Sequence, residues 1–228
     1  MDHATFFDRP PGWLSAGYLA RVVSLDDPEQ RNRVQVRLIA FDSVGEQDAP
    51  LWARVVAPFA GDNRGAFFMP DVDDEVLVVF MNGDPRYPLI VGGLWSGSAQ
   101  SPADLGADGN RYKVIRSKNG IKFTMDDRQG QETLTLETPG GQKVTMKDGP
   151  GSITIEDSNG NSIKLESSGI TVNAAATVKV TASKVDVSAG MVNVDTAMAK
   201  FSGVVKCEML IATSVVATSY TPGAGNIW

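Results

Sequence analysis

From residue 17 onward, apolar and polar positions alternate with a period of two in short runs, the pattern of strands that bury one face. In the first part of the chain these runs are GYLARVVS (17–24), RVQVRLIA (33–40), LWARVVA (51–57), EVLVVFM (75–81) and PLIVGGL (88–94). β-Branched residues dominate them. Turn formers separate them: Asp27-Pro28, the segment Asp42 to Pro50, the long stretch Pro58 to Asp74, and Asn82-Gly83-Asp84-Pro85. No ten-residue segment carries an apolar stripe at helical spacing.

Five strands with one long connection between the third and fourth predict a small closed barrel of the OB-fold type, because closure removes exposed strand edges. Such barrels often bind oligonucleotides or oligosaccharides, and single-stranded nucleic acid needs a positive groove lined by stacking aromatics. Here Trp52, Phe67, Phe68 and Phe80 are accompanied by Asp71, Asp73, Asp74, Glu75 and Asp84, which repel phosphate. The acidic stretch Asp71, Asp73, Asp74 and Glu75 has two readings: a solvated loop and strand edge, or an electrostatic docking face for a basic partner. It lacks the ligand spacing and glycine of a calcium loop.

The second part of the chain is a repeat of short alternating units: GIKFTM, ETLTLE, QKVTMK, GSITIE, NSIKLE, GITVN, TVKV, KVDV, MVNV and MAKF. Their first inward candidates are Ile121, Leu134, Val144, Ile153, Ile163, Ile170, Val178, Val185, Val192 and Ala199, so from Leu134 the step is about nine or ten residues early and seven or eight later. Corners such as Asp157-Ser158-Asn159-Gly160 follow at once and leave no room for helices. Strands this short, with almost no aromatic residues, cannot bury enough surface as one flat sheet. Two inward residues per unit suit a thin prism built by three identical chains, each supplying one face, with Val, Ile and Leu meeting on the threefold axis. About eleven strands stacked at ~4.8 Å make a needle on the order of 50 Å long. The absence of Pro from 151 to 221 agrees with an uninterrupted ladder.

Composition sharpens this division. Residues 1–112 hold 9 Arg and no Lys against 16 acids, whereas residues 113–228 hold 10 Lys and 2 Arg against 11 acids. Of the 17 aromatic residues, 13 lie in the first part. The organisation expected is an N-terminal arm (1–16), a barrel (17–96), a Gly/Ser/Ala/Asp-rich linker (97–112), a needle (113–220) and a tip segment (221–228). An overall charge of −6 argues against nucleic acid as a partner. His3 is the single histidine and Cys207 the single cysteine, so disulfides within the chain and His- or Cys-based metal sites are not expected. Cys207 reads as a packing residue. The opening MDHATFFDRPPGW has neither the basic nor the apolar region of a signal peptide, which predicts synthesis in the cytoplasm without export by that route. At the other end Pro222 and two glycines stop the ladder. Tyr220, Pro222, Ile227 and Trp228 then read either as a cap folded back on the prism or as an anchor for a separate tip protein.

The order of these modules resembles the central spikes of contractile injection machines, the phage baseplate assembly protein V and VgrG-type spikes. The barrel residues Asp27-Pro28, Arg33-Val34-Gln35-Val36-Arg37, Trp52-Ala53-Arg54-Val55, Pro58, Ala60-Gly61, Pro70, Asp74-Glu75-Val76-Leu77-Val78, Phe80, Gly83-Asp84-Pro85, Pro88 and Gly92 carry the resemblance. It implies an all-β chain, an OB-fold barrel followed by an intertwined triple-stranded β-helix, assembled as a homotrimer. It also implies a hub protein below the barrel, a PAAR-like tip protein, transient contact with a target envelope, and no enzymatic activity or cofactor. Only 16 residues precede the barrel, so the hub is expected as a separate chain. The lysozyme domain that some such spikes insert does not fit the linker. Without a His-x-His motif near the end, the iron-capped apex of simple phage spikes is not expected. The alternative reading is an OB-fold glycan- or nucleic-acid-binding protein on a trimeric stalk.

Overall fold

The computed structural model describes residues 13–41, 49–107 and 109–219. The chain divides into two units, Met1–Val178 and Lys179–Trp228. Strands β1 (Tyr18–Ser24), β2 (Val34–Leu38), β3 (Leu51–Val55), β6 (Glu75–Phe80) and β7 (Pro88–Leu94) close a barrel in the order β1-β2-β3-β7-β6. All five fall on the alternating runs of the sequence. The β3–β7 pairing is parallel and the other four are antiparallel. The long connection before β6, expected without strands, contains a tight hairpin of β4 (Ala60–Gly61) and β5 (Arg64–Gly65). Gly65 has φ +149°, and a Cβ there would lie 2.9 Å from the Phe59 carbonyl oxygen, so the hairpin excludes a side chain.

Alternation fills the barrel. On β2 the inward set is Val34, Val36 and Leu38, and on β6 it is Val76, Val78 and Phe80. Ala20, Val22, Ala53 and Ile90 complete the core. Burying each of the larger side chains contributes roughly 1.5–3 kcal/mol. Tyr18 borders this core, with its ring 5.7 Å from Phe80 edge-on and 6.1 Å from Phe41 in a stacked contact.

Strand directions sort the loops. Ser24, Val34, Val55, Glu75 and Leu94 gather at one end, because β1, β3 and β7 run toward it and β2 and β6 run away. That end carries the β1–β2 turn, the β3–β6 connection and the exit of β7. At the opposite end lie the entry at Trp13 to Gly17 and the β6–β7 turn.

Beyond the barrel, β8 (Tyr112–Arg116), β9 (Lys122–Asp126), β10 (Thr133–Glu137), β11 (Lys143–Lys147), β12 (Ser152–Glu156), β13 (Ser162–Glu166) and β14 (Gly169–Asn173) form one antiparallel meander in chain order. The early repeat units therefore pair with their neighbours in the same chain. The turns are short and locally satisfied. Asp157 accepts hydrogen bonds from the backbone N–H groups of Asn159 and Asn161, both at 2.9 Å, and from Asn161 Nδ2 at 2.7 Å. These bonds, the Asn161 side chain foremost, hold the Asp157 carboxyl down at about 2.

No strand follows Asn173 among the described residues. Instead the chain bends at 183, 190 and 197, and then at 203, 208, 213 and 218. The seven-residue step expected for the later units is present as far as 197. After that it shortens to about five.

Candidate assembly interface

The register of the meander brings repeat positions into rows. Ile115, Phe123, Leu136, Val144, Ile155, Ile163 and Val172 are aligned partners across successive strands. Two residues along each strand, on the same face, lies a second row of Met125, Leu134, Met146, Ile153, Leu165 and Ile170. The first row floors a trough of about 820 Å³. The face is substantially solvent-exposed within one chain: Ile155 is 47% exposed, Leu136 43% and Ile170 70%. A continuous apolar surface of this length is the mark of an interaction face.

The other face is largely polar. Its central row is Val114, Thr124, Thr135, Thr145, Thr154, Lys164 and Thr171, flanked by directly opposed charges. Lys122 pairs with Glu137 and Lys143 with Glu156, both at 3.4 Å. Such cross-strand pairs contribute roughly 0.2–1 kcal/mol each. At the start of the ladder Arg111 forks onto Asp126, which holds that carboxyl below its usual range, and Lys113 bonds Asp127 at 2.6 Å.

From 174 to 219 every residue is exposed. Alternation persists there, as in Val178 and Val180, Val185 and Val187, and Val192 and Val194, each between 61% and 72% exposed. These residues have strand-forming sequence and no ladder among the described residues. Cys207, expected among packing residues, is exposed here.

At the barrel end from which β7 leaves, the acidic stretch closes on itself. The Asp71 N–H donates to Asp74 Oδ2 at 2.8 Å, and the Asp73 N–H donates to the Val22 carbonyl at 2.9 Å. Asp71 also meets Lys118, in the β8–β9 turn, at 3.2 Å, which ties the barrel to the ladder. Asp73 and Asp74 are exposed, and Glu75 is half-buried at the start of β6. On the β2–β3 side of the same end, Arg54, Arg64, Phe67 and Phe68 line a pocket of about 650 Å³. Sequence reasoning passed over this pocket; adjacent exposed phenylalanines on a breaker-rich loop were the available signal. Tyr220, Pro222, Ile227 and Trp228 lie outside the described residues. Among the described residues, no group of three or more His, Cys, Asp or Glu is gathered for a metal ion, and no helix is long and apolar enough to cross a membrane.

Comparison with known families places both modules. Residues 18–95 match the type VI secretion system/phage-baseplate injector OB domain, and residues 133–193 match the phage baseplate V C-terminal trimerisation domain. Both modules belong to the phage baseplate V family, an injector OB domain followed by a trimerisation domain. The type VI secretion system spike protein VgrG4b of Pseudomonas aeruginosa is 34% identical over 95 residues, 40% of this chain and 12% of that protein. VgrG5 of the same organism is 33% identical over 113 residues, 46% of this chain and 14% of that protein. VgrG3 of Vibrio cholerae is 31% identical over 101 residues, 41% of this chain and 10% of that protein. The chain therefore matches only a small share of the length of these spike proteins.

Within the baseplate V family the limits of the two matches are instructive. The OB match ends one residue beyond β7. The trimerisation match begins at β10 and continues to residue 193, so it includes the last five strands of the in-chain ladder and part of the segment that follows it. The half-exposed apolar face of the ladder thus lies largely within the match to a trimerisation domain.

Proposed function

We propose that three copies of this chain form the central spike of a contractile injection machine, joining a hub to a tip and piercing the target envelope when the sheath contracts. The observation that carries this reading is the unbroken apolar face from Ile115 to Val172, on a domain of the baseplate trimerisation type and directly after an injector OB barrel. Three such faces turned inward bury on the axis what one chain leaves wet, and the Thr- and charge-bearing faces turn outward. From 174 on, strands supplied by the other two copies complete the ladder that each chain lacks. Shorter faces after 197 make the prism thinner toward its end.

The role is mechanical, with no catalysis and no cofactor. Interlocked strands resist axial load because freeing one chain requires breaking pairings with two others, so the barrier to unfolding matters more than the equilibrium. The spike is made in the cytoplasm and built into a phage-tail-like particle. The hub meets the barrel end opposite the β7 exit, and a PAAR-like protein sits on Tyr220, Pro222, Ile227 and Trp228. Contact with the target envelope is transient, and nucleic acid is not a partner.

Analytical ultracentrifugation of the full chain tests the reading: a rod-like trimer resistant to SDS without heating is expected. A monomer would overturn it.

A further inference from the structure

The pocket at the ladder-side end of the barrel is lined by barrel residues alone. Phe67 and Phe68 are 71% and 69% exposed on its wall, and Phe59 beside it is 62% exposed. Arg54 and Arg64 line it, and neither pairs with a carboxylate among the described residues. The Arg64 side chain lies over Gly61, where a Cβ would come 2.6 Å from Nε, so its position is set by the hairpin. Arginine beside exposed aromatic residues is the composition of an interface centre.

The complementary shape stands on the same barrel end, on its β1–β6 side. Val72, 46% exposed, projects between Asp71 and Asp73, with Glu75 close behind. Asp73 and Glu75 form no ion pair among the described residues. An apolar knob flanked by carboxylates matches an aromatic pocket flanked by guanidinium groups. One barrel thus carries two different, mutually complementary surfaces. A contact between unlike surfaces is heterologous, and around a threefold axis it closes into a ring.

We propose that the Arg54/Arg64/Phe67/Phe68 pocket receives the Val72 loop of the neighbouring copy, so that the three barrels are joined head to tail. This rests on the trimer proposed above. It gives the barrels an attachment to each other that is independent of the needle, and it gives the acidic stretch a basic partner within the assembly.

The test is cysteine cross-linking in full-length protein carrying Cys207→Ser. Arg64→Cys and Val72→Cys are combined in one chain and treated with a short bismaleimide. A covalent closed trimer on a denaturing gel is expected from the double variant, with neither single variant yielding one. A covalent dimer, a link confined to one chain by peptide mass, or no link in a protein that sediments as a trimer overturns the head-to-tail ring. Sedimentation as a monomer overturns the trimer reading instead. Charge exchange gives a second check: Arg64→Glu should speed exchange of labelled subunits, and adding Asp73→Arg should restore the slow rate. Equal rates for all three proteins would also overturn the proposal.

Discussion

Asp27 and Arg33 are forked onto each other across the β1–β2 turn, with Arg33 Nη2 2.7 Å from Asp27 Oδ1 and Nε 3.2 Å from Oδ2. The Asp27 carboxylate also accepts the backbone N–H groups of Glu29, Arg31 and Arg33, at 2.9 to 3.1 Å. Arg33 reaches Glu29 at 3.0 Å and lies over the Trp52 ring. One buried carboxylate therefore organises a turn in which Gln30 and Asn32 take positive φ, and it locks that turn to β3. Removing one member of such a network leaves the other without its partner.

The Arg33 hydrogen bonds, outweighing partial burial, hold the Asp27 carboxyl far below the usual carboxylate range. A carboxyl depressed in the folded state stabilises fully above its unfolded value, near ~3.9, and that contribution is lost as pH falls toward the folded value. Asp27→Asn should therefore lower the melting temperature most at neutral pH. The gap from the parent should narrow below about pH 4, which melts followed by circular dichroism from pH 7 to pH 2 would show.

Ile90 is 1% exposed and sits where β7 joins both β3 and β6. Ile90→Ala should cost the barrel roughly 2–5 kcal/mol, from lost burial and an incompletely filled cavity. Urea unfolding monitored at the barrel tryptophans would read this; a loss under 1 kcal/mol would show that the barrel can collapse around the gap.

Ile155 and Thr154 are adjacent on β12 and face opposite ways. Ile155→Lys places a charge on the apolar face and should abolish the trimer, whereas Thr154→Lys, on the outer face beside Lys164, should leave it intact. Sedimentation velocity of both variants makes the comparison, and equal behaviour would show that this face is not the one buried.

Amide hydrogen exchange should divide the repeat at Asn173. Amides of β9 to β13 find carbonyl partners within the chain, so they should be protected even in a dissociated chain. Those from 178 to 219 should be protected only in the trimer.

Titration with single-stranded oligonucleotides at low salt should give no binding, because the barrel end that carries exposed phenylalanines also carries Asp73 and Asp74. Salt-sensitive binding would revive the alternative of a nucleic-acid-binding barrel on a stalk.

Much of this was legible before any coordinates, because β structure with one buried face writes a period of two into the chain. The runs around Val36, Val78 and Ile90 marked barrel strands, and the repeat from Ile121 to Ala199 marked units too thin to fold alone. Alternation states which residues share a face and stays silent on the partner. The same alternation of branched apolar residues occurs at Ile170 and Val172 in β14, which pairs with β13, and at Val178 and Val180, which lie in no strand among the described residues. Only the tertiary structure decided that β8 to β14 zip to each other and that pairing among the described residues stops at Asn173. It also joined Asp71 to Lys118 and set Arg64 beside Phe67 and Phe68. These contacts depend on register, strand direction and loop closure, which arise between segments distant in the chain and so leave no local periodic mark.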